Sequence, residues 1–284
     1  MSTSLASQLK QLAFAQQGVA GATQSYQHAS LLFSEKDAQS FTLAEVCEMG
    51  SDGFTRLCAV DLPSFQPFAP LFGQGSMDVK RNQQTKDQNA VLDLQIARFL
   101  RVLSPHMLLP AAHKCFEWLL RRYQVHMHNV DSVMEAILPF HGTALFTRVI
   151  LVLVLNNDHK QWHFLETAKK TRVPLDRLTL IRQCSSNKKV LAFICKMVFA
   201  AHDNKPVQPS RITHVTALYA SVVAGAVASS TTQQVLATVL PFLLKGLKHD
   251  HADIVGANLI VLTQLATEAT LSDDALSAIL EATW

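Results

Sequence analysis

Charged residues are sparse in this chain. They make up 17% of its 284 residues, against 49% that are hydrophobic. A chain so apolar can bury a sizeable core, which excludes disorder as its default state. Its length suits one large domain or two ordinary ones. Breakers are scarce too, with ten glycines and ten prolines, while the helix formers Leu, Ala and Gln abound. The five cysteines, Cys47, Cys58, Cys115, Cys184 and Cys195, are odd in number and include no CxxC pair. They read as reduced, buried thiols of an intracellular protein. A membrane-spanning run is missing: residues 149–155 are too few to span a bilayer. The longer run at 215–228 is rich in Ala, Ser and Gly and lies beside His214. It reads as a tightly packed helix of a soluble protein. Residues 1–10 lack both a basic stretch and an apolar run, so no secretory leader is expected there.

The motifs of catalysis are missing as well. There is no GxSxG, no GxGxxG after a strand and no GxxxxGK[ST], and no cysteine sits in a recognisably activated setting. Asp273-Asp274 reads as the acid-rich first turn of a helix. His126, His128 and His141 form one histidine-rich cluster, and His249, His251 and Asp253 another. Alternate residues on a helix do not face each other, and no donor at helical spacing completes the first cluster. These histidines read as helix-end and turn residues. The expectation is a non-enzyme with no cofactor, no metal, no small-molecule substrate and no membrane.

What is present is helical periodicity. Leu5, Leu9 and Leu12 mark a short first helix, followed by a linker at 16–27. A region of short elements follows, broken by Pro63, Pro67 and Pro70, with Phe65, Phe68, Leu71 and Phe72 anchoring the loop on a helix surface. From residue 88 the pattern is regular. Val91, Leu94, Phe99, Leu100 and Leu103 form one stripe, which Ser104-Pro105 ends. Pro110 opens the next helix, which carries Cys115, Phe116, Trp118, Leu119 and Leu120; Trp118, Phe116 and Leu119 read as core. Asn129 or Asp131 caps another, closed by Leu138-Pro139. Helices are then expected at 143–155, 162–170, 175–184, 186–202, 209–227, 231–247, 252–267 and 272–284, with Ser210 and Thr232 as N-caps.

Short connections make neighbouring helices antiparallel, and one pair spans roughly 40 residues, the period of HEAT and armadillo repeats. The clearest repeat is 239–267. Pro241 lies in its first helix, Asp250 or Asp253 caps the second, and Val255, Leu259, Ile260 and Leu262 supply the inner face. The expected fold is all-α, an α-α superhelix, or HEAT/armadillo-like solenoid, of antiparallel helix pairs. Residues 1–87 are expected to hold an N-terminal helix, linker and short elements packed on the solenoid. Residues 88–284 are expected to be HEAT-like repeats of a fragment of a longer repeat protein.

Net charge is only +3, but it is unevenly spread. From Arg148 to Lys196 ten basic residues face Asp158, Glu166 and Asp176. Lys169, Lys170, Arg172, Arg177, Arg182, Lys188, Lys189 and Lys196 are the candidate contacts to RNA phosphate. No aromatic is interleaved for base stacking, so any RNA contact here is directed to the backbone.

Ser4-Leu-Ala-Ser-Gln-Leu-Lys10, Ala29-Ser-Leu-Leu-Phe33, Pro70-Leu-Phe72 and Gln84-Thr-Lys86 are the first of a series of segments. Leu103-Ser-Pro105, Lys114-Cys-Phe-Glu-Trp-Leu-Leu-Arg-Arg122, Leu138-Pro-Phe-His141 and Phe146-Thr-Arg-Val149 continue it. In this order they strongly resemble the N-terminal region of the HEAT repeat-containing protein 1 / U3 small nucleolar RNA-associated protein 10 family. Val173-Pro-Leu175 extends the likeness weakly, and beyond residue 200 it is only general repeat character. The resemblance implies a nucleolar, nuclear protein of helical repeats with no catalytic residues. It implies the t-UTP/UtpA subcomplex of the small-subunit processome as setting. Its partners there would be WD-repeat subunits, the U3 snoRNP-containing processome and the 5′ external transcribed spacer of pre-rRNA. The resemblance further implies roles in pre-18S rRNA processing, ribosome biogenesis and, in some organisms, rDNA transcription. A second reading is a HEAT-type adaptor that captures peptide ligands in transport or signalling.

Overall fold

The computed structural model describes residues 29–202, 212–270 and 272–283. The expected first helix with Leu5, Leu9 and Leu12, its linker, and the Ser210 cap lie outside the described residues. Among the described residues there is no strand. The α-helices longer than one turn are α1 (Glu35–Ser40), α2 (Leu43–Val60), α3 (Lys86–Leu103), α4 (Pro110–Tyr123), α5 (Val130–Ile137), α6 (Ala144–Val152) and α7 (Leu165–Thr171). They continue as α8 (Arg177–Ser186), α9 (Lys188–His202), α10 (Thr213–Ser229), α11 (Gln233–Leu247), α12 (Ala252–Glu268) and α13 (Asp273–Thr283).

The region expected to hold only short elements contains the 18-residue α2. Its start is written in a capping box. The Thr42 hydroxyl accepts from the Glu45 amide while the Glu45 carboxylate accepts from Thr42 N. Two glycines on its inner face permit close approach to α4. A Cβ at Gly50 would lie 2.6 Å from Trp118 Cβ, and one at Gly53 would lie 2.6 Å from the Ala111 carbonyl oxygen. The prolines break only the stretch after α2. That stretch is pinned from above: Trp118 Nε1 and Tyr123 Oη both donate to Leu71 O, at 2.8 and 2.9 Å. Phe65, Phe68 and Phe72 are buried around Phe99.

From α8 onward the chain is a two-layer stack. α8, α10 and α12 lie side by side in one layer, and α9, α11 and α13 in the other. Short links join α10 to α11, α11 to α12 and α12 to α13, so each pair folds back as a hairpin. This is the expected all-α, HEAT-like solenoid. One buried apolar cluster runs from Leu31 to Ala282, as it must where no pair can bury its own face alone.

The details differ from the expected register. The inner face of α12 is Ile254, Ala257, Asn258, Val261 and Leu265, while Leu259 and Ile260 are exposed. The true stripe holds a polar Asn, which the apolar count skipped. On α3, Leu92 and Ile96 are buried and Val91 and Leu94 are exposed, for the same one-residue shift. Capping differs too. His251, not Asp250 or Asp253, caps α12, its ring Nδ1 accepting from Asp253 N at 3.2 Å. Asn129 precedes α5 without bonding it, because its side-chain oxygen accepts from Arg81 at 2.9 Å. Thr232 occupies the N-cap of α11 without a side-chain bond. The helix expected at 143–155 stops at Val152, and residues 153–156 are extended.

Candidate functional site

α7, its following loop, α8 and α9 carry the eight basic residues singled out above. Lys169 is not free to meet a ligand. Its Nζ donates to Leu153 O at 2.8 Å and lies 3.5 Å from Glu166, with the side chain only 17% exposed. It ties α7 to the extended segment after α6. The other seven are exposed. Among the described residues none of the seven takes part in an ion pair.

Two groups separate. Lys188, Lys189 and Lys196 lie on α9. Lys188 and Lys189 occupy its first turn, which holds no acid, and Asn187 Oδ1 accepts from Lys189 N. A helix N-terminus already carries about half a positive charge, and acids are favoured there. Two ammonium groups at that end are electrostatically unfavourable in the isolated chain, and an anion would relieve them. Lys196 is two turns on, on the same face as Lys189. No large exposed hydrophobic lies on α9.

The second group is Lys170, Arg172, Arg177 and Arg182, around the corner between α7 and α8. Arg172 closes α7 in the left-handed region, φ 55°, a backbone conformation that non-glycine residues adopt at a small cost. Here two exposed aliphatic side chains, Val173 and Leu178, interrupt the charge. Counting charges alone missed them. Their signal was in the sequence, in a loop reading Val-Pro-Leu-Asp-Arg-Leu where only one leucine has a core to enter.

The histidines serve as tethers and caps. His141 Nδ1 lies 2.8 Å from Leu175 O. His249 Nδ1 accepts from His251 N at 3.0 Å. His126 is buried, whereas His128 is exposed. Among the described residues no group of three His, Cys, Asp or Glu could hold a metal. Ser104 Oγ lies 2.8 Å from His214 Nε2, but it donates to Ala136 O at 2.8 Å. With its proton spent on a carbonyl, the serine accepts from the imidazole, the reverse of an activated nucleophile. Burial pushes the Cys184 thiol up to about 12 and raises Cys115 and Cys195 further, so all three stay protonated. Among the described residues no helix is long and apolar enough to cross a membrane.

The block Lys114–Arg122, where the resemblance is densest, is the packing hub. Lys114 pairs with Asp52 at 2.6 Å, Glu117 accepts from Leu31 N and Leu32 N, and Trp118 holds Leu71. Arg121 donates to Ala38 O and Arg122 to Ser76 O and Val79 O.

Comparison with known proteins extends the resemblance beyond this hub. The family model described as U3 small nucleolar RNA-associated protein 10 matches residues 235–284, which span α11 to α13. The likeness past residue 200 is therefore specific, not merely general repeat character. Human HEAT repeat-containing protein 1 is 35% identical over 280 residues, 95% of this chain and 13% of that protein. Its Drosophila melanogaster homologue is 34% identical over 284 residues, 99% of this chain and 14% of that protein. U3 small nucleolar RNA-associated protein 10 of Aspergillus niger is 28% identical over 296 residues, 99% of this chain and 16% of that protein. The relatives are named as HEAT-repeat and snoRNA-associated proteins, not as enzymes. Over nearly all of its length, this chain is similar to part of HEAT repeat-containing protein 1 and U3 small nucleolar RNA-associated protein 10.

Proposed function

We propose that the chain acts as a non-catalytic assembly scaffold of the U3-containing small-subunit processome, in the nucleolus. In this reading it docks t-UTP/UtpA subunits, WD-repeat proteins among them, and takes part in pre-18S rRNA processing. The observation that carries the reading is similarity, along nearly the whole of this chain, to part of U3 small nucleolar RNA-associated protein 10, on a stack of helix pairs whose faces suit macromolecules rather than small substrates. The further part of the proposal is contact with the phosphate backbone of pre-rRNA at Lys188, Lys189 and Lys196. Supporting it are their exposure and the acid-free first turn of α9. The test of the scaffold is affinity capture of the chain from nucleolar extract, read by mass spectrometry. Recovery of the t-UTP/UtpA subunits is expected, and their absence alongside an unrelated set of peptide-bearing partners would favour a transport or signalling adaptor instead.

A further inference from the structure

The corner between α7 and α8 differs from the lysines of α9 in one physical respect. Within residues 170–182 four exposed cations, Lys170, Arg172, Arg177 and Arg182, flank in sequence two aliphatic side chains left in water. Val173 is 58% exposed and Leu178 56%. Arg182 is one turn beyond Leu178 and so on its face. The one acid in this stretch, Asp176, is exposed too, but it caps α8, accepting from Leu178 N at 3.1 Å, and leaves the four cations in excess.

The corner is also held rigid. Leu175 is buried at its centre and is pinned to His141 by two hydrogen bonds. Leu175 N donates to His141 O at 2.9 Å, and His141 Nδ1 lies 2.8 Å from Leu175 O. Pro174 fixes its own φ and keeps Val173 extended. A surface ordered in advance loses little conformational freedom on binding.

We propose that this corner is a docking site for an acidic, amphipathic segment of a partner protein, whose carboxylates meet the arginines and whose apolar side chains cover Val173 and Leu178. Phosphate backbone alone has no use for exposed aliphatic groups, and single-stranded nucleic acid is met by aromatic platforms, of which residues 170–182 contain none. Arginine beside aliphatic surface is the pairing expected of a protein interface. The proposal deepens the scaffold reading, on which it rests, and is independent of RNA contact at α9.

The test is fluorescence anisotropy with the chain and three labelled probes at physiological salt. They are a short peptide alternating Glu with Leu and Phe, a peptide of equal charge alternating Glu with Ser, and an oligouridylate. The Glu/Leu/Phe peptide is expected to bind most tightly. The V173S/L178S double variant should bind it about tenfold or more weakly, because less apolar area leaves water on association. R172E with R177E and R182E should abolish binding. Thermal melts confirm that each variant stays folded, since all five positions are exposed. Unchanged binding in V173S/L178S, equal binding of the Glu/Ser peptide or of oligouridylate, or no binding of the Glu/Leu/Phe peptide overturns the proposal. Failure of the scaffold reading shows separately, as loss of processome subunits from the extract capture while peptide binding persists.

Discussion

Tyr219 Oη donates to Asn258 Oδ1 at 2.7 Å, joining α10 to α12 inside the core. Both residues are fully buried. Burial pushes the Tyr219 phenol well above its ordinary value, so it stays a neutral donor. The Asn258 amide in turn donates to Ile254 O at 2.8 Å. A Cβ at Gly246 would fall 2.0 Å from Asn258 Nδ2. Asn258 thus occupies the space that glycine leaves on α11, and one polar side chain sets how three helices meet.

Asn258→Ala strands the buried Tyr219 hydroxyl and should cost about 2 kcal/mol or more. Gly246→Ala forces the Asn258 amide aside and should cost about 1–3 kcal/mol. The double variant should cost less than the sum, because removing the amide makes room for the added methyl. Urea unfolding of the four proteins checks this, and full additivity would show that the two sites do not share space.

Gly53→Ala should destabilise more than Gly50→Ala. The methyl at 53 meets the Ala111 carbonyl oxygen, which belongs to the α4 backbone, whereas that at 50 meets the Trp118 side chain. Each gains up to about 1 kcal/mol of helix propensity, which overpacking of about 1–3 kcal/mol opposes. The rank order in chemical denaturation is the measurement.

Glu117 is buried and accepts from Leu31 N at 2.7 Å and Leu32 N at 3.2 Å. Glu117→Ala leaves those amides without their acceptor, at about 1–3 kcal/mol. Hydrogen exchange should accelerate at Leu31 and Leu32 first, while α10 to α12 keep their protection.

Burial lowers the pKa of His106 below the ordinary imidazole value of 6.5. It does the same for His113, with the Arg148 cation adding to the effect and the Met107 carbonyl opposing it. The unfolded chain then takes up these protons first as pH falls. Stability is complete above about 6.5 and is lost progressively below it. The melting temperature should drop between pH 7.5 and 5.5, and His106→Leu should flatten that slope. A slope unchanged in H106L removes His106 as a source.

Three lysines on α9 and one on α7 should behave differently toward RNA. K188E, K189E and K196E together should weaken oligonucleotide binding and reduce the log-log salt slope by roughly 2, at about 0.7 per phosphate contact for single strands. Lys169→Ala should leave RNA binding alone and lower stability, because its Nζ is spent on Leu153 O and Glu166. A gel-shift salt series beside thermal melts separates the two.

How much of this was written in order along the chain follows from range. Helix class, the stops at Ser104-Pro105 and Leu138-Pro139, and the pairs from α8 to α13 depend on periodicity and breakers, which act within a turn or two. Helix α2 was hidden because its glycines and the prolines after it look like loop chemistry until Trp118 and Ala111 are seen pressing against them. The basic stretch was plain to read, but nothing local distinguished Lys169, held by a carbonyl sixteen residues earlier, from its exposed neighbours.

By itself, then, the sequence determined an all-helical chain of stacked pairs, its excess of positive charge and its kinship. The tertiary structure alone decided the register of α3 and α12, the burial of Asn258 and Glu117, and the exposure of Val173 and Leu178. The physical reason is that hydrogen bonds and backbone preferences close locally. Which face of a helix is dry depends on what another part of the chain lays against it.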